Sequence, residues 1–204
     1  MCSSDLAFYV KLLNLYHSSG NAPEAVATFG RLANDLPDEY LPHLYLGMAL
    51  RTKGDLTGAL AEYQKAMALN PSDPRTRNNL VNLSETIVHQ GEDLVRENKP
   101  EEALALFQQV WLAGYQTESV ATRMVDTLEN LGRLAEAEAV CIEALDASAV
   151  MVKRLESLFT KRGDASGYLA QLEELAQGHS DNVALVCWLG RIREATGDLK
   201  GAVN

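Results

Sequence analysis

The residues of this 204-residue sequence best suited to metal binding or nucleophilic chemistry are four histidines and three cysteines. No two of them have the short spacing that places two ligands on one metal ion, such as His-x-x-x-His or Cys-x-x-Cys. The histidines are scattered, at His17, His43, His89 and His179. The cysteines are also far apart, at Cys2, Cys141 and Cys187. We therefore expect neither a metal site nor a disulfide framework.

The sequence also lacks the usual motifs of catalysis and cofactor binding. Neither of the glycine-rich patterns that bind phosphate, G-x-G-x-x-G and G-x-x-x-x-G-K-[ST], occurs. The acid pairs Glu101-Glu102 and Glu173-Glu174 lie in stretches with helical periodicity. A solvated helix surface explains such pairs better than acid–base catalysis does. We therefore expect a non-catalytic chain without a cofactor.

The charge of the chain restricts its partners. With 18 basic and 28 acidic residues, its formal net charge is -10, so it has no broad electrostatic attraction for nucleic acid or anionic lipid. No apolar run approaches the roughly 18 residues of a membrane span, and the amino terminus lacks the basic and apolar regions of a secretory signal. The odd number of cysteines favours a reducing compartment. We expect a cytoplasmic protein without nucleic-acid or membrane partners.

Residues 40–73 contain an ordered pattern of large, small and turn-forming residues. In chain order the pattern is Leu46, Gly47, Leu50, Gly54, Ala59, Tyr63, Ala66 and Pro71. Apolar residues at helical spacing predict two helices, and Gly54-Asp55 predicts the turn between them, because glycine readily adopts a positive φ. Small residues at Gly47 and Ala59 predict a close crossing of the two helices, and Pro71 predicts the end of the second.

This pattern resembles the tetratricopeptide repeat, a helical hairpin of about 34 residues. Only the tryptophan of the family is missing, and His43 stands in its place. One period earlier the same slots recur, although Leu13 replaces the helix glycine; they hold Tyr9, Leu12, Tyr16, Gly20, Ala25, Phe29, Leu32 and Pro37. The resemblance implies an all-α fold, a right-handed superhelical solenoid of antiparallel helix hairpins.

The resemblance divides residues 1–204 into a single array. The repeats are 6–39, 40–73, 84–117, 118–151, 149–182 and 183–204. Residues 74–83 extend the first helix of the third hairpin, and the turns of later hairpins are expected at Gly132-Arg133, Gly163-Asp164 and Gly197-Asp198. Cys141 takes the aromatic slot of the fourth repeat, so we expect a buried structural thiol. The fifth repeat is degenerate, with Tyr168 where a small residue belongs, and the sixth stops inside its second helix.

Stacked hairpins of this family form a concave groove lined mainly by the first helix of each hairpin. The resemblance places the following residues in that groove: Asn14, His17, Leu44, Met48, Arg51, Val88, Glu92, Arg96, Thr122, Asp126, Glu129, Lys153, Ser157, Lys161, Arg191 and Glu194. Mixed charge with apolar positions near the amino-terminal end suits an extended or helical peptide. Some family members hold a C-terminal carboxylate with lysine, asparagine and arginine. Val10 occupies the lysine slot, so we do not expect that clamp.

The two ends of the sequence lead to further expectations. Because the sixth repeat is incomplete, we expect a fragment of a longer protein, with an exposed terminal repeat through which two copies could associate. Residues 2–6, Cys-Ser-Ser-Asp-Leu, can be encoded by DNA that contains the tail of a common sequencing adapter. We therefore expect this pentapeptide not to be native.

Two functions fit this sequence. The first is a scaffold of bacterial type that binds protein or peptide segments in its concave groove. The second is the substrate-recruiting or regulatory arm of a larger enzyme, such as a glycosyltransferase, sulfotransferase or methyltransferase. A catalytic domain encoded after Asn204 would favour the second, and a capping helix followed by a stop codon would favour the first.

Overall fold

The structure is a computed structural model, and it describes residues 3–145, 148–162 and 165–196. All regular secondary structure in these ranges is α-helical, which confirms the all-α class expected from the sequence. The described residues form eleven helices: α1 (Ser3–Ser19), α2 (Ala22–Asp35), α3 (Tyr40–Lys53), α4 (Leu56–Leu69), α5 (Pro74–Arg96), α6 (Pro100–Leu112), α7 (Glu118–Asn130), α8 (Leu134–Glu143), α9 (Ala149–Arg162), α10 (Ala165–Gly178) and α11 (Val183–Thr196). Short turns join them into antiparallel hairpins.

The chain divides into two compact units, an amino-terminal unit of residues 1–90 and a carboxy-terminal unit of residues 91–204. In the amino-terminal unit, α1 packs against α2 and α3, and α3 packs against α4. In the carboxy-terminal unit, α6, α7, α8 and α9 each pack against the next, and α9, α10 and α11 pack together. Within each of the runs α1 to α4 and α6 to α11, helices that follow one another in sequence are therefore neighbours, as in stacked hairpins. That the repeats form one continuous array stays a prediction.

The second hairpin shows how local signals set its helix ends. Gly54 ends α3 in the left-handed region, with a φ of 90°, and Asp55 begins α4 by accepting a hydrogen bond from the backbone N–H of Gly58 at 2.9 Å. The turn predicted at Gly54-Asp55 is therefore confirmed. The helices α2 and α4 both end two residues before a proline, at Pro37 and Pro71. A proline lacks the N–H donor needed to continue a helix.

The third hairpin begins with the overlong helix that residues 74–83 predicted. Helix α5 is 23 residues long, against 14 for α3 and α4. Asp73 caps its start by accepting hydrogen bonds from the backbone N–H and the hydroxyl of Thr76, at 2.9 and 2.8 Å. Arg75 donates to Asp73 and to the hydroxyl of Tyr40, both at 2.9 Å. This cluster ties the start of α5 to the start of α3.

Aromatic residues fill the layer between the first two hairpins. Tyr9, Phe29 and Tyr45 come from α1, α2 and α3, and the ring centroid of Tyr45 lies 5.2 Å from that of Tyr9 and 5.8 Å from that of Phe29. All three side chains are buried. In the carboxy-terminal unit, Phe159 of α9 stacks on Trp188 of α11 at 6.1 Å. One hairpin alone could not bury these rings, so neighbouring hairpins stabilise each other.

Some expectations concern residues outside the described part of the chain. The turns at Gly163-Asp164 and Gly197-Asp198 lie outside it, and so does the end of the sixth repeat. The same holds for Cys2 and for the side chains of Tyr168 and Glu194.

Candidate functional site

The residues predicted to face a groove in the amino-terminal unit differ in exposure. Asn14, His17 and Arg51 are exposed, and Met48 is half-buried. Asn14 and His17 are three residues apart on α1, and Met48 and Arg51 are three residues apart on α3, so each pair lies on one side of its helix.

Leu44 and Val88 depart from this pattern, since their side chains are only 1% and 7% exposed. Leu44 lies on α3, against which α1 packs. Val88 lies next to Ile87 and one turn after Ser84, both of which are buried on α5. An apolar side chain in these slots packs inside the unit because burial removes it from water. Leu44 and Val88 are therefore too buried to offer much surface to a ligand, and their assignment to the groove stays a prediction.

A hydrogen bond between the first helices of the first two hairpins joins their exposed sides. His17 Nε2 lies 3.1 Å from Thr52 Oγ1, and the Thr52 hydroxyl lies 3.0 Å from the carbonyl oxygen of Met48, to which it donates. A hydroxyl carries one hydrogen, so His17 must be the donor to Thr52. Arg51 forms no ion pair with any residue that the structure describes. We call Asn14, His17, Arg51 and Thr52 the α1–α3 face.

A pocket of about 380 Å³ opens beside the α1–α3 face. It is lined by Leu13, Tyr16, His17, Gly20, Ala22, Ala25, Ala49 and Thr52. Leu13 and Phe29 occupy the slots that Gly47 and Tyr63 hold in the next hairpin. Two large side chains at this crossing favour a wider separation of α1 and α2 than a glycine would, and the alanines that line the pocket leave space. The apolar wall and the polar His17–Thr52 edge suit one apolar side chain of a ligand.

In the carboxy-terminal unit, ion pairs join the first helices of successive hairpins. Two of them connect α7 with α9: Asp126 with Arg154 at 2.7 Å and Glu129 with Lys161 at 2.8 Å. The others connect α5 with α7 and α9 with α11, namely Glu92 with Arg123, and Glu156 with Arg191 at 3.7 Å. We call these four pairs the ion-pair ladder. They partly neutralise the charges predicted to face a groove.

The ladder contains both predicted and unpredicted residues. Its partners Arg123, Arg154 and Glu156 were not among the residues predicted for the groove. Two predicted charged residues of the carboxy-terminal unit with described side chains lie outside the ladder. Arg96 pairs with Asp93 of its own helix at 2.5 Å, whereas Lys153 is exposed and has no ion pair with the described residues.

The buried groups with strongly altered acidity are not placed for chemistry at neutral pH. Burial raises the pKa of Tyr63 to about 12, although the nearby Arg51 guanidinium acts to lower it. Burial also raises the pKa of Cys141 to about 12, so this thiol stays protonated and is a poor nucleophile. The prediction that Cys141 is buried is confirmed.

Histidine, cysteine and acidic side chains show no metal-binding arrangement in the described ranges, where no group of three or more could hold an ion. His43, which stands in the tryptophan slot, is buried, and its ring nitrogens lie 2.7 Å from Glu62 Oε2 and 3.1 Å from the carbonyl oxygen of Pro37. Both ring nitrogens of His43 therefore have hydrogen-bond partners within the protein. None of the helices that the structure describes combines the length and apolar character needed to cross a bilayer.

Three solved structures illustrate what the chain is similar to. A thermophilic TPR protein of Thermus thermophilus is 19% identical, with a TM-score of 0.38 and coverage of 95% of this chain and 98% of that one. PilF of Pseudomonas aeruginosa is 18% identical, with a TM-score of 0.38 and coverage of 96% and 86%. The TPR2AB domain of yeast Sti1, in a complex with pHSP90, is 14% identical, with a TM-score of 0.38 and coverage of 96% and 86%.

The sequence itself matches a family model. Residues 47–83 match the model described as TPR repeat, where TPR stands for tetratricopeptide repeat. No curated protein matches the chain. The matched residues contain Gly47 and Tyr63, and Leu13 and Phe29 occupy the corresponding slots of the preceding hairpin. Residues 47–83 are therefore similar to a tetratricopeptide repeat.

Proposed function

We propose that this chain binds polypeptide segments of partner proteins along the first helices of its hairpins, chiefly through the α1–α3 face. The observation that carries the proposal is the exposure of the Asn14 and Arg51 side chains. Both side chains are exposed, and neither forms an ion pair with the described residues. The amide of Asn14 remains available to a ligand, and the guanidinium of Arg51 is exposed although it also acts on the buried Tyr63.

The chemistry of these side chains suits a peptide backbone. The amide of Asn14 can donate to a carbonyl oxygen and accept from an N–H, and the guanidinium of Arg51 offers five N–H donors. The pocket beside His17 and Thr52 can hold one apolar side chain of the same segment. Backbone contacts supply affinity without sequence preference, so the pocket would supply the preference for one side chain.

We expect the carboxy-terminal unit to contribute less to the affinity for a peptide. Glu92, Asp126 and Glu129 each have an ion-pair partner on a neighbouring helix. A ligand that used one of these carboxylates would first have to break an existing pair, which lowers the net gain. Lys153 of α9 is exposed and forms no ion pair in the described ranges, but it lies in the carboxy-terminal unit, outside the α1–α3 face.

We also propose that these 204 residues act by binding and not by catalysis. The support is the placement of the titratable groups. Tyr63 and Cys141 have strongly raised pKa values and are buried, whereas catalytic groups need a pKa near the working pH and access to a substrate. The four histidines are spread over α1, α3, α5 and the turn after α10.

A peptide selection tests the binding proposal. The full chain is immobilised, and a display library of random short peptides is enriched against it. The Kd of each enriched peptide is then measured for the wild type and for a variant with Asn14→Ala and Arg51→Ala. We expect the double variant to weaken binding by at least about tenfold, because two central hydrogen-bonding side chains are lost.

Lys153→Ala is the matched control, since it also removes an exposed cation without breaking an ion pair. The control should bind the enriched peptides as the wild type does. Equal losses in the double variant and in the control would contradict the assignment of the α1–α3 face. A library that yields no enriched peptide would contradict polypeptide binding itself.

A further inference from the structure

A second pocket lies in the carboxy-terminal unit and has a volume of about 420 Å³. Side chains of α6, α7 and α8 line it, and its apolar part includes Trp111, Leu112, Met124 and Val140. The volume lies within the range of roughly 300–1,000 Å³ that is typical of ligand pockets. We call it the α6–α8 pocket.

The mouth of the α6–α8 pocket carries an apolar side chain that is unusually exposed. Leu112, the last residue of α6, is 79% exposed, although Trp111 beside it is buried. Leaving a leucine in water forgoes a favourable burial free energy. An exposed apolar side chain beside an apolar pocket is a feature of surfaces that bind another molecule.

The rim of the α6–α8 pocket carries excess negative charge. Glu143 accepts a hydrogen bond from Trp111 Nε1 at 2.8 Å, which holds its carboxylate at the rim, and no cation among the described residues pairs with it. Glu136 shares the single guanidinium of Arg133 with Glu101. Because Glu136 and Glu101 share the one positive charge of Arg133, one negative charge of this cluster is left uncompensated.

We propose that the α6–α8 pocket binds a basic segment of a partner protein by taking up one of its aliphatic or aromatic side chains. The apolar residues Trp111, Leu112 and Met124 would bury that side chain, and Glu136 and Glu143 would attract lysine or arginine beside it. Charge complementarity selects this occupant, because an acidic segment would meet like charges at the rim. The formal net charge of -10 favours the approach of a basic ligand over a longer range.

This pocket is separate from the surface assigned to peptide binding above. The α1–α3 face belongs to the amino-terminal unit, whereas all residues of the α6–α8 pocket belong to the carboxy-terminal unit. A substitution at Leu112 therefore tests the pocket without touching Asn14 or Arg51. Either proposal can fail while the other holds.

The test uses a fluorescent helical peptide made of leucine and lysine as the probe. Its Kd is measured by anisotropy at low salt for the full chain and for the variant Leu112→Glu. We expect the variant to bind at least about tenfold more weakly, because an apolar contact is replaced by a charge. Nonspecific electrostatic attraction would instead make Leu112→Glu bind the probe more tightly than the wild type, since the variant has one more negative charge.

Val183→Glu is the matched control, because Val183 is 73% exposed in the same unit and the substitution adds the same charge. It should leave the Kd unchanged, and a peptide of leucine and glutamate should bind at least about tenfold more weakly than the lysine probe. A probe with one photoreactive leucine analogue should cross-link to residues 108–112, 124–128 or 136–143. Circular dichroism confirms that Leu112→Glu is folded, and Glu143→Gln provides a second variant that should weaken binding severalfold.

Three results would overturn the proposal. One is equal affinity of the wild type and both pocket variants for the lysine probe. Another is cross-linking confined to other helices. The third is a concentration-dependent dimer of the wild type that Leu112→Glu abolishes, since a second copy of the chain would then occupy the pocket.

Discussion

The ring of Tyr63 on α4 lies against the backbone of Gly47 on α3. A Cβ atom added at residue 47 would lie 2.5 Å from Cε1 and 2.6 Å from Cδ1 of Tyr63, and 3.2 Å from the carbonyl oxygen of Ala59. Tyr63 is fully buried and cannot move aside without disturbing its own surroundings. The crossing of α3 and α4 therefore depends on the absence of a side chain at Gly47.

Gly47→Ala is expected to destabilise the amino-terminal unit. Alanine normally stabilises a helix interior by about 1 kcal/mol relative to glycine, but overpacking here should cost about 1–3 kcal/mol. The free energy of unfolding, measured in a denaturant titration, should fall. Gly30→Ala is the control, because the atom nearest to a Cβ at Gly30 is Leu46 Cδ1 at 4.0 Å. A gain in stability for Gly47→Ala would contradict this account.

The slots that Gly47 and Tyr63 hold in the second hairpin are filled by other residues in later hairpins. In the third hairpin, Gly91 faces Phe107 in the same close relationship. In the fourth hairpin, the corresponding slots hold Val125 and Cys141, both fully buried. A larger residue on the first helix is thus matched by a smaller one on the second, which keeps the volume at the crossing similar.

A double-mutant cycle tests this exchange of volume in the fourth hairpin. Cys141→Phe alone should cost about 1–3 kcal/mol of unfolding free energy by overpacking against Val125. In the Val125→Gly background, which itself loses stability, the same change should cost less, with a coupling energy of about 0.5–3 kcal/mol. Effects that simply add would show that Val125 and Cys141 do not share one space.

The packing of the hairpins could be predicted because it depends on residue size and spacing. Gly47 and Tyr63 are distinctive residue types at a fixed separation, and the turn residue Gly54 has a conformational requirement that few other residues meet. The extension of α5 by residues 74–83 followed from an interrupted spacing. Such features act within one hairpin, so a single sequence contains all the information they need.

The surface of the first helices could be predicted only in part. Glu92 and Arg123 are 31 residues apart, and Glu129 and Lys161 are 32 apart, so no constant spacing marks the ladder. The pairing depends on how far long side chains reach between helices, which residue types alone do not determine. Leu44 shows the converse difficulty, because its slot predicts a place in the groove whereas its side chain is buried.

The reactivity of two cysteines should differ sharply in the native protein. Cys187 is exposed and Cys141 is buried, and burial raises the pKa of the Cys141 thiol to about 12. Only the thiolate reacts quickly with alkylating reagents. At neutral pH, iodoacetamide should therefore modify Cys187 in the native chain and Cys141 only after denaturation, as measured by peptide mass spectrometry. Equal native labelling of both would contradict the burial of Cys141.

Asp73 should make the stability of the amino-terminal unit sensitive to acid. Burial alone would raise its pKa, but hydrogen bonds from Thr76 and Arg75 outweigh that effect and lower the pKa below the ordinary value. A carboxyl whose pKa is lowered by folding stabilises the native state above its unfolded pKa of about 3.9. This contribution is lost as the pH falls through the lowered, folded pKa.

Asp73→Asn provides the measurement of that contribution. At neutral pH the variant should unfold at a lower denaturant concentration than the wild type, because the carboxylate contacts with Arg75 and Thr76 are weakened. The difference should shrink as the pH is lowered below about 4, where Asp73 becomes protonated first in the unfolded and then in the folded state. A difference that stays constant over this range would mean that the charge of Asp73 does not stabilise the fold.

The pair between Glu129 and Lys161 should stabilise the carboxy-terminal unit only slightly. The Lys161 side chain is half-exposed, and ion pairs of this kind contribute about 0.2–1 kcal/mol. A double-mutant cycle with Glu129→Gln and Lys161→Met should give a coupling energy in that range at low salt, and a smaller one at high salt because ions screen exposed charges. Lys153→Met, which breaks no ion pair in the described part of the chain, should show no coupling to Glu129→Gln. A coupling that is insensitive to salt would indicate that packing of the Lys161 stem, and not the charge, joins α9 to α7.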